Sequence, residues 1–131
     1  MEREKYIMSK KILIVEDEPA IVESIRYRLE TDGYDVISAF DGLSGLNLAR
    51  SESPDLIVLD VVMPKLDGFN FCRMLKFDQK YEKIPIIMLT GRCGESDMKT
   101  VRDVKADVFM TKPFDGDELI AKVQQLLNLP Q

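Results

Sequence analysis

Leu56–Asp60 (LIVLD) places four consecutive apolar residues directly before a carboxylate, and this short stretch decides the fold. A strand that is apolar at every residue buries both of its faces, as the central strands of a helix-covered parallel sheet do. Two other segments are almost continuously apolar, Ile12–Val15 and Ile84–Leu89, and a shorter apolar run covers Val108–Met110. A further segment, Tyr34–Ala39, alternates between apolar and polar residues as an edge strand does. Stretches of helical period separate these runs, so the sequence predicts five successive strand–helix units.

The predicted helices carry apolar residues on the side that would face the sheet. Their ranges are Pro19–Asp32, Gly42–Ser51, Phe69–Asp78, a fourth near Glu95–Val104, and Gly116–Asn128. The residues predicted to face inward are Ile21, Ile25 and Leu29, then Leu43, Leu46 and Ala49, then Phe71, Cys72 and Leu75, and finally Leu119, Ile120, Val123, Leu126 and Leu127. With right-handed crossovers, such units favour an α/β fold, a doubly wound parallel sheet of order 2-1-3-4-5 that binds ligands at the carboxyl ends of strands one and three.

The composition fits one domain and excludes several kinds of site. The chain has 131 residues, of which 45% are hydrophobic, enough for a core without metal or disulfide support. We expect a single domain over residues 11–129, after a leader or disordered extension at residues 1–10. The sequence has no histidine, which excludes Ser-His-Asp and Cys-His nucleophile systems and imidazole zinc sites. We expect Cys72 and Cys93 to remain reduced rather than form a disulfide.

The charge distribution argues against nucleic acids and membranes as direct partners. The 18 basic and 23 acidic residues give a net charge of -5 with both signs interleaved, so no basic stripe could follow a phosphate backbone. The longest apolar runs, such as Leu56–Leu59 and Ile86–Leu89, are far shorter than a membrane-spanning helix. The sequence therefore predicts a cytoplasmic protein that binds neither nucleic acid directly nor a membrane.

Acidic residues end two of the central strands. Strand one ends in Glu16 and Asp17 and strand three ends in Asp60, so three carboxylates are predicted to converge. Like charges about 4 Å apart repel by roughly 4 kcal/mol at an effective dielectric near 20, so the cluster needs a cation or a raised pKa. Oxygen ligands without histidine or cysteine favour Mg²⁺ or Mn²⁺. The alternative is that these acids only cap the helices that follow the strands.

Strands four and five add a hydroxyl and an ammonium group at the same edge of the sheet. Strand four ends in Thr90, and strand five is followed by Lys112 and Pro113, which permits a cis peptide that would aim the ammonium inward. Each feature alone is typical of a strand end or a turn, but together with the carboxylates they indicate phosphoryl transfer. Since the acidic stretch Glu16–Pro19 occupies the place of a phosphate-binding loop, we expect a carboxylate nucleophile that forms an acyl phosphate rather than a nucleotide site.

Four motifs, in this order and at these intervals, resemble the receiver domain of two-component response regulators. They are Ile12–Glu18 (ILIVEDE), Leu56–Gly68 (LIVLDVVMPKLDG), Met88–Gly91 (MLTG) and Ala106–Phe114 (ADVFMTKPF). The resemblance covers nearly the whole chain and implies a flavodoxin-like fold and a stand-alone receiver of the chemotaxis type. It implies as partners a sensor histidine kinase or a histidine phosphotransfer protein, and a target protein that the sequence does not identify.

The resemblance implies a role for each residue that takes part in the chemistry. Asp60 matches the phosphoacceptor, and Lys112 matches the lysine that pairs with the phosphoryl oxygens. The residues that match the Mg²⁺ site are Glu16, which acts through water, Asp17, Asp60 and the carbonyl of Val62. The domain would catalyse its own phosphorylation and slow dephosphorylation, and it would not be an enzyme with a separate substrate.

The resemblance also implies a switch. Thr90 matches the hydroxyl that moves to bond the phosphoryl oxygens, Phe109 matches the aromatic residue whose rotamer follows that movement, and Lys112–Pro113 matches the cis peptide of the family. Phosphorylation would then change the surface formed by strand four, strand five and the last helix, and a partner would bind that changed surface.

Departures from the family pattern lead to two further expectations. Val62 and Arg92 hold the positions that flank the phosphoryl group, and since apolar Val62 cannot orient an attacking water, we expect slow self-dephosphorylation. The alternative is that Val62 is only a packed loop residue. Lys105 and Val108 alter the face through which many DNA-binding regulators dimerise, so we do not expect that mode of association.

Two other functions are weighed against the receiver. A hydrolase with an aspartate nucleophile, of the haloacid dehalogenase kind, needs a second acid two residues after the nucleophile, where this chain has Val62. A phosphorylation-independent interaction module would have no need of the set Asp17, Asp60, Thr90 and Lys112, which is intact. The sequence therefore favours the receiver over both.

Overall fold

The computed structural model describes residues 10–91, 103 and 105–128. In this part of the chain the elements are β1 (Lys11–Val15), α1 (Pro19–Thr31), β2 (Asp35–Ala39), α2 (Gly42–Glu52), β3 (Leu56–Asp60), α3 (Gly68–Lys76), β4 (Ile86–Thr90), β5 (Val108–Thr111) and α4 (Gly116–Asn128). Outside the described residues lie most of the predicted leader and of the predicted helix near Glu95–Val104, together with Arg92, Cys93 and Leu129. None of the helices in the described ranges is long and apolar enough to cross a membrane.

The five strands form one parallel sheet in the order β2-β1-β3-β4-β5, which confirms the predicted doubly wound α/β fold. β3 lies at its centre, because Val58 is in register with Ile14 of β1 on one side and with Ile87 of β4 on the other. Every residue of β3 and β4 is buried, as their unbroken apolar pattern predicts. β2, whose sequence alternates, is an edge strand.

Helices cover both faces of the sheet, and alternate residues of a strand enter different cores. Ile12 and Ile14 pack in a cluster with the buried residues of α1 and α4. Leu13 and Val15 pack in a second cluster with the buried residues of α2 and α3. Because both faces are covered, the strand ends are the part of the sheet that remains open to a ligand.

One sequence prediction about packing is wrong, and another is incomplete. Leu43 was predicted to face inward but is half-exposed, because α2 instead turns Gly45, Leu46 and Ala49 to the sheet. Gly45 lies so close to the sheet that a Cβ atom there would meet Val15 Cγ1 at 2.7 Å. In α1, Ile25 and Leu29 are buried and Ile21 packs, partly buried, against the same core, as predicted, while the fully buried Val22 is an inward residue that the prediction did not include.

The start of β4 also differs from the prediction. The apolar run begins at Ile84, but the strand begins at Ile86. The amide of Ile84 donates to the Tyr81 carbonyl at 3.1 Å, which holds Ile84 in a turn. Pro85, which has no N–H group, then separates this turn from the strand.

Candidate functional site

Three carboxylates meet at the carboxyl edge of the sheet. Glu16 directly follows β1, Asp17 comes next, and Asp60 is the last residue of β3. One carboxylate oxygen from each lies within 4.8 Å of the others. Glu16 and Asp60 are buried, with 1% and 5% of their surface exposed, whereas Asp17 is exposed. The predicted convergence of these acids is therefore present, and its open side is at Asp17.

The chain after Asp60 is held by close contacts with two helices. Gly68, at the start of α3, lies so near the acceptor strand that a Cβ atom would be 2.5 Å from the Asp60 carbonyl oxygen. Gly42, at the start of α2, donates its N–H to the Pro64 carbonyl at 3.3 Å, and a Cβ atom there would overlap the Leu66 carbonyl. These contacts fix the loop at residues 61–67 (the acceptor loop) and with it the carboxylate of Asp60.

Lys112, which directly follows β5, brings a positive charge to the carboxylate cluster. Its ammonium nitrogen lies 2.8 Å from Glu16 Oε1 and 3.3 Å from Asp60 Oδ2. Burial lowers the pKa of Lys112, but its hydrogen bonds and attraction to Glu16 and Asp60 outweigh that effect and raise the pKa above its usual value. The Lys112 amide donates to the Thr90 carbonyl, and the Lys112–Pro113 peptide is cis. Lys112 therefore lies inside the cluster as a protonated ammonium group.

The charges in the cluster do not balance. Although Asp17 is exposed, partial desolvation of its carboxyl and its contact with Glu16 raise the pKa of that carboxyl. The second oxygen of Glu16 accepts a hydrogen bond from the Glu18 amide at 3.1 Å. Among the described residues, three acidic groups thus face one ammonium group, that of Lys112, and a bound divalent cation would neutralise the remainder. The donor set, all oxygen and open at Asp17, fits Mg²⁺ or Mn²⁺.

Thr90 and Phe109 lie on adjacent strands beside the acids. Thr90 is the last residue of β4 and is buried. Its side chain points to the same face as Met88, because residues two apart in a strand share a face. Phe109 is in register with Met88 and packs, partly buried, against the cluster on that face. The two residues predicted to form a switch therefore lie on the same face of the sheet.

The remaining predicted positions have different outcomes. The Val62 side chain is 63% exposed, so Val62 is not the packed loop residue of the alternative interpretation. The Val62 amide approaches Asp60 Oδ1 at 3.4 Å, a long hydrogen bond. Arg92, the other position predicted to tune dephosphorylation, lies outside the described residues.

Sequence reasoning missed the direct pair between Glu16 and Lys112. Glu16 was expected to act on a metal through water, and Lys112 was expected to pair with a phosphoryl group. In the structure the Lys112 ammonium is closer to Glu16 than to Asp60. The signal in the sequence was the glutamate itself, whose extra methylene group reaches further across the cluster than an aspartate would.

Comparisons with known proteins agree on one family. The sequence model of the response regulator receiver domain matches residues 12–124. The alkaline phosphatase synthesis transcriptional regulatory protein PhoP of Bacillus subtilis is 48% identical over 121 residues, which are 92% of this chain and 50% of that protein. The chain thus spans about half the length of the curated relatives it matches.

Solved structures give the same result. The receiver domain of a signal transduction histidine kinase from Syntrophus aciditrophicus has a TM-score of 0.85 and 36% identity, covering 90% of this chain and 89% of that one. The receiver domain of a sensor histidine kinase from Pseudomonas aeruginosa, with a magnesium ion coordinated in its active site cleft, has a TM-score of 0.83 and 28% identity, covering 92% and 98%.

Proposed function

The chain belongs to the response regulator receiver domain family, and on that premise we propose that it accepts a phosphoryl group on Asp60 in a Mg²⁺-dependent reaction. The observation that carries the proposal is the cluster in which the buried Asp60 carboxylate lies within 4.8 Å of two other carboxylates and 3.3 Å from the Lys112 ammonium. A carboxylate so placed is held in one position and is adjacent to groups that can stabilise added negative charge.

The proposed metal site consists of Glu16, Asp17, Asp60 and the carbonyl of Val62. The charge imbalance described above supports it, as does the magnesium ion reported for the receiver domain from Pseudomonas aeruginosa. When bound, Mg²⁺ would neutralise charge on the phosphoryl oxygens during transfer. Asp17, the exposed member, is the side on which water molecules would complete the coordination shell.

The chain's own residues account for the remaining parts of the reaction. A carboxylate oxygen of Asp60 attacks the phosphorus atom of a phosphohistidine, the P–O bond forms as the P–N bond breaks, and the departing imidazole keeps the electron pair. Lys112, already in contact with Asp60, pairs with the oxygens of the transferred group. Glu16 and Asp17 would repel the anionic phosphates of a nucleotide, which favours a phosphorylated protein or a small phosphate compound as the donor.

The proposed signal begins at Thr90. Phosphorylation adds about half to one negative charge and three strong acceptors to Asp60, which would draw the Thr90 hydroxyl inward. Phe109, on the same face of the sheet, then has space to repack, and the surface of β4, β5 and α4 changes. The chain would thus act as a signalling domain that receives its phosphoryl group from a sensor histidine kinase or a histidine phosphotransfer protein. The buried Cys72 thiol, which is not in a disulfide, fits the proposed cytoplasmic location.

Intact mass after incubation with acetyl phosphate and Mg²⁺ tests this function. We expect the parent chain to gain one phosphoryl group and Asp60→Asn to gain none. Asp32→Asn, which removes an exposed carboxylate outside the cluster, is the matched control and should react as the parent does. If the parent gains no mass, and beryllofluoride with Mg²⁺ does not bind, the chain is a phosphorylation-independent interaction module.

A further inference from the structure

The outer edge of β2 presents backbone groups that the sheet does not use. In a parallel edge strand, alternate residues bond to the neighbouring strand and the others turn their N–H and C=O groups outward. The Asp35 amide donates to Lys10 at 3.0 Å and the Ala39 carbonyl accepts from Glu16 at 3.1 Å, so these two residues face β1. Residues 36 and 38 therefore face the outer edge, where no sixth strand lies within the described ranges.

Arg26 of α1 covers this edge. Its guanidinium donates to the Val36 carbonyl at 3.1 Å and to the Ser38 hydroxyl at 2.6 Å. Glu23 and Glu30, one helical turn before and after it, each have a carboxylate oxygen 3.7 Å from a guanidinium nitrogen. The Arg26 side chain is 25% exposed, so the guanidinium is held over the strand instead of extending into solvent.

We propose that Arg26 blocks the outer edge of β2 against strand addition, and that the strand it excludes is β2 of a second copy of this chain. An uncovered strand edge is a template on which a further strand can pair. The Arg26 guanidinium donates a hydrogen bond to the Val36 carbonyl, which is one of the few outward acceptors that this short strand could offer to an added strand. The inference is independent of the phosphoacceptor function.

The geometry of β2 suits pairing with itself. Two copies related by a two-fold axis would pair antiparallel, with Val36 opposite Ser38 and with Ile37 on the axis. The outward groups of Val36 and Ser38 would then bond to each other in both halves. Asp35 would lie opposite Ala39, so no like charges would face each other across the pair. The edge is thus self-complementary, which makes a specific block useful.

Replacement of Arg26 by methionine tests the proposal, because methionine keeps an unbranched stem and removes every donor. In sedimentation velocity runs over a range of concentrations in about 0.15 M salt, we expect the parent to stay monomeric. We expect Arg26→Met to self-associate at least about tenfold more tightly, the factor that one charge-assisted hydrogen bond represents. A synthetic peptide of residues 34–40 should likewise bind Arg26→Met and not the parent.

Two further variants decide between explanations. Arg28→Met removes the same charge from the same helix. Arg28 points away from β2 and pairs with Asp117, so this variant should remain monomeric. If both arginine variants associate equally, net charge is the cause and the proposal is wrong. If Arg26→Met is folded yet monomeric and does not bind the peptide, the proposal is also wrong. If Arg26→Met does not fold, Arg26→Ala decides, because alanine also removes every donor and is the strongest helix former; it should associate measurably, and parent-like behaviour would overturn the proposal.

Discussion

Replacing Asp17 by asparagine should stabilise the metal-free protein. The Asp17 carboxylate lies within 4.8 Å of the carboxylates of Glu16 and Asp60. At that separation two like charges repel by about 0.9 kcal/mol in water and about 3.5 kcal/mol at an effective dielectric of about 20. Because Asp17 is exposed and Lys112 offsets part of the repulsion, the lower figure applies. We therefore expect the free energy of unfolding to rise by about 1 kcal/mol and Tm by roughly 3 °C.

The stability gained on replacing Asp17 by asparagine should increase with pH. Partial desolvation of the carboxyl, together with the hydrogen bond and charge of Glu16, raises the pKa of Asp17 in the folded protein. A raised folded pKa means that folding favours the protonated carboxyl, so its stabilising effect is present at low pH and is lost as pH rises through that pKa. The difference between Asp17→Asn and the parent should therefore be largest near neutral pH and disappear below about pH 4.

Urea unfolding with and without Mg²⁺ measures the stability gained in Asp17→Asn and the effect of the metal on it. Mg²⁺ should stabilise the parent, because it neutralises the cluster, and should stabilise Asp17→Asn much less. Asp32→Asn, an exposed carboxylate outside the cluster, should match the parent in both conditions. The reasoning fails if Asp17→Asn unfolds more easily than the parent without metal, or if Mg²⁺ stabilises the two proteins equally.

Two other substitutions test separate parts of the structure. Lys76→Met removes a buried ammonium that lies 2.7 Å from Asp107 Oδ2 and 2.7 Å from the Ile84 carbonyl. Since the Asp107 side chain is 36% exposed, we expect the free energy of unfolding measured in urea to fall by about 2 kcal/mol, less than for a fully buried pair. The prediction is contradicted if Lys76→Met is as stable as the exposed control Lys80→Met. Val62→Asn should shorten the lifetime of the phosphorylated form, followed by intact mass, because its amide can orient a water molecule that valine cannot. Val62→Ala is the apolar control, and equal decay of Val62→Asn and the parent would show that Val62 does not set the lifetime.

The sheet and its acids were predictable because both are local in the sequence. The apolar run Leu56–Leu59 indicates a strand buried on both faces, and Asp60 follows it directly, so its place at the carboxyl edge needs only the strand order. The same holds for Glu16 after β1 and for Lys112 after β5. Asp60, Glu16 and Lys112 lie at strand ends, where an error of one residue in the strand boundary does not move them to another edge of the sheet.

The features that sequence reasoning missed depend on which side chains meet across the fold. Leu43 is apolar and correctly spaced, yet the glycines of α2 allow the helix to lie against β1 on another face. Lys76 resembles any surface lysine until Asp107 and the turn before β4 enclose it. Arg26 was likewise indistinguishable from the other helix arginines, because its carbonyl partner belongs to a strand ten residues away.

The acceptor loop also limits how this domain can be recombined with its relatives. Gly42 and Gly68 come from separate helices, yet both lie against the same loop, and a Cβ atom at position 42 would overlap the Leu66 carbonyl. A chimera that received only residues 56–68 of this chain would place the acceptor loop against the first residue of the recipient's second helix. Any residue other than glycine there would clash with the loop. Crossover points for shuffling receiver genes therefore belong before α2, so that the loop and the glycine it needs are inherited together.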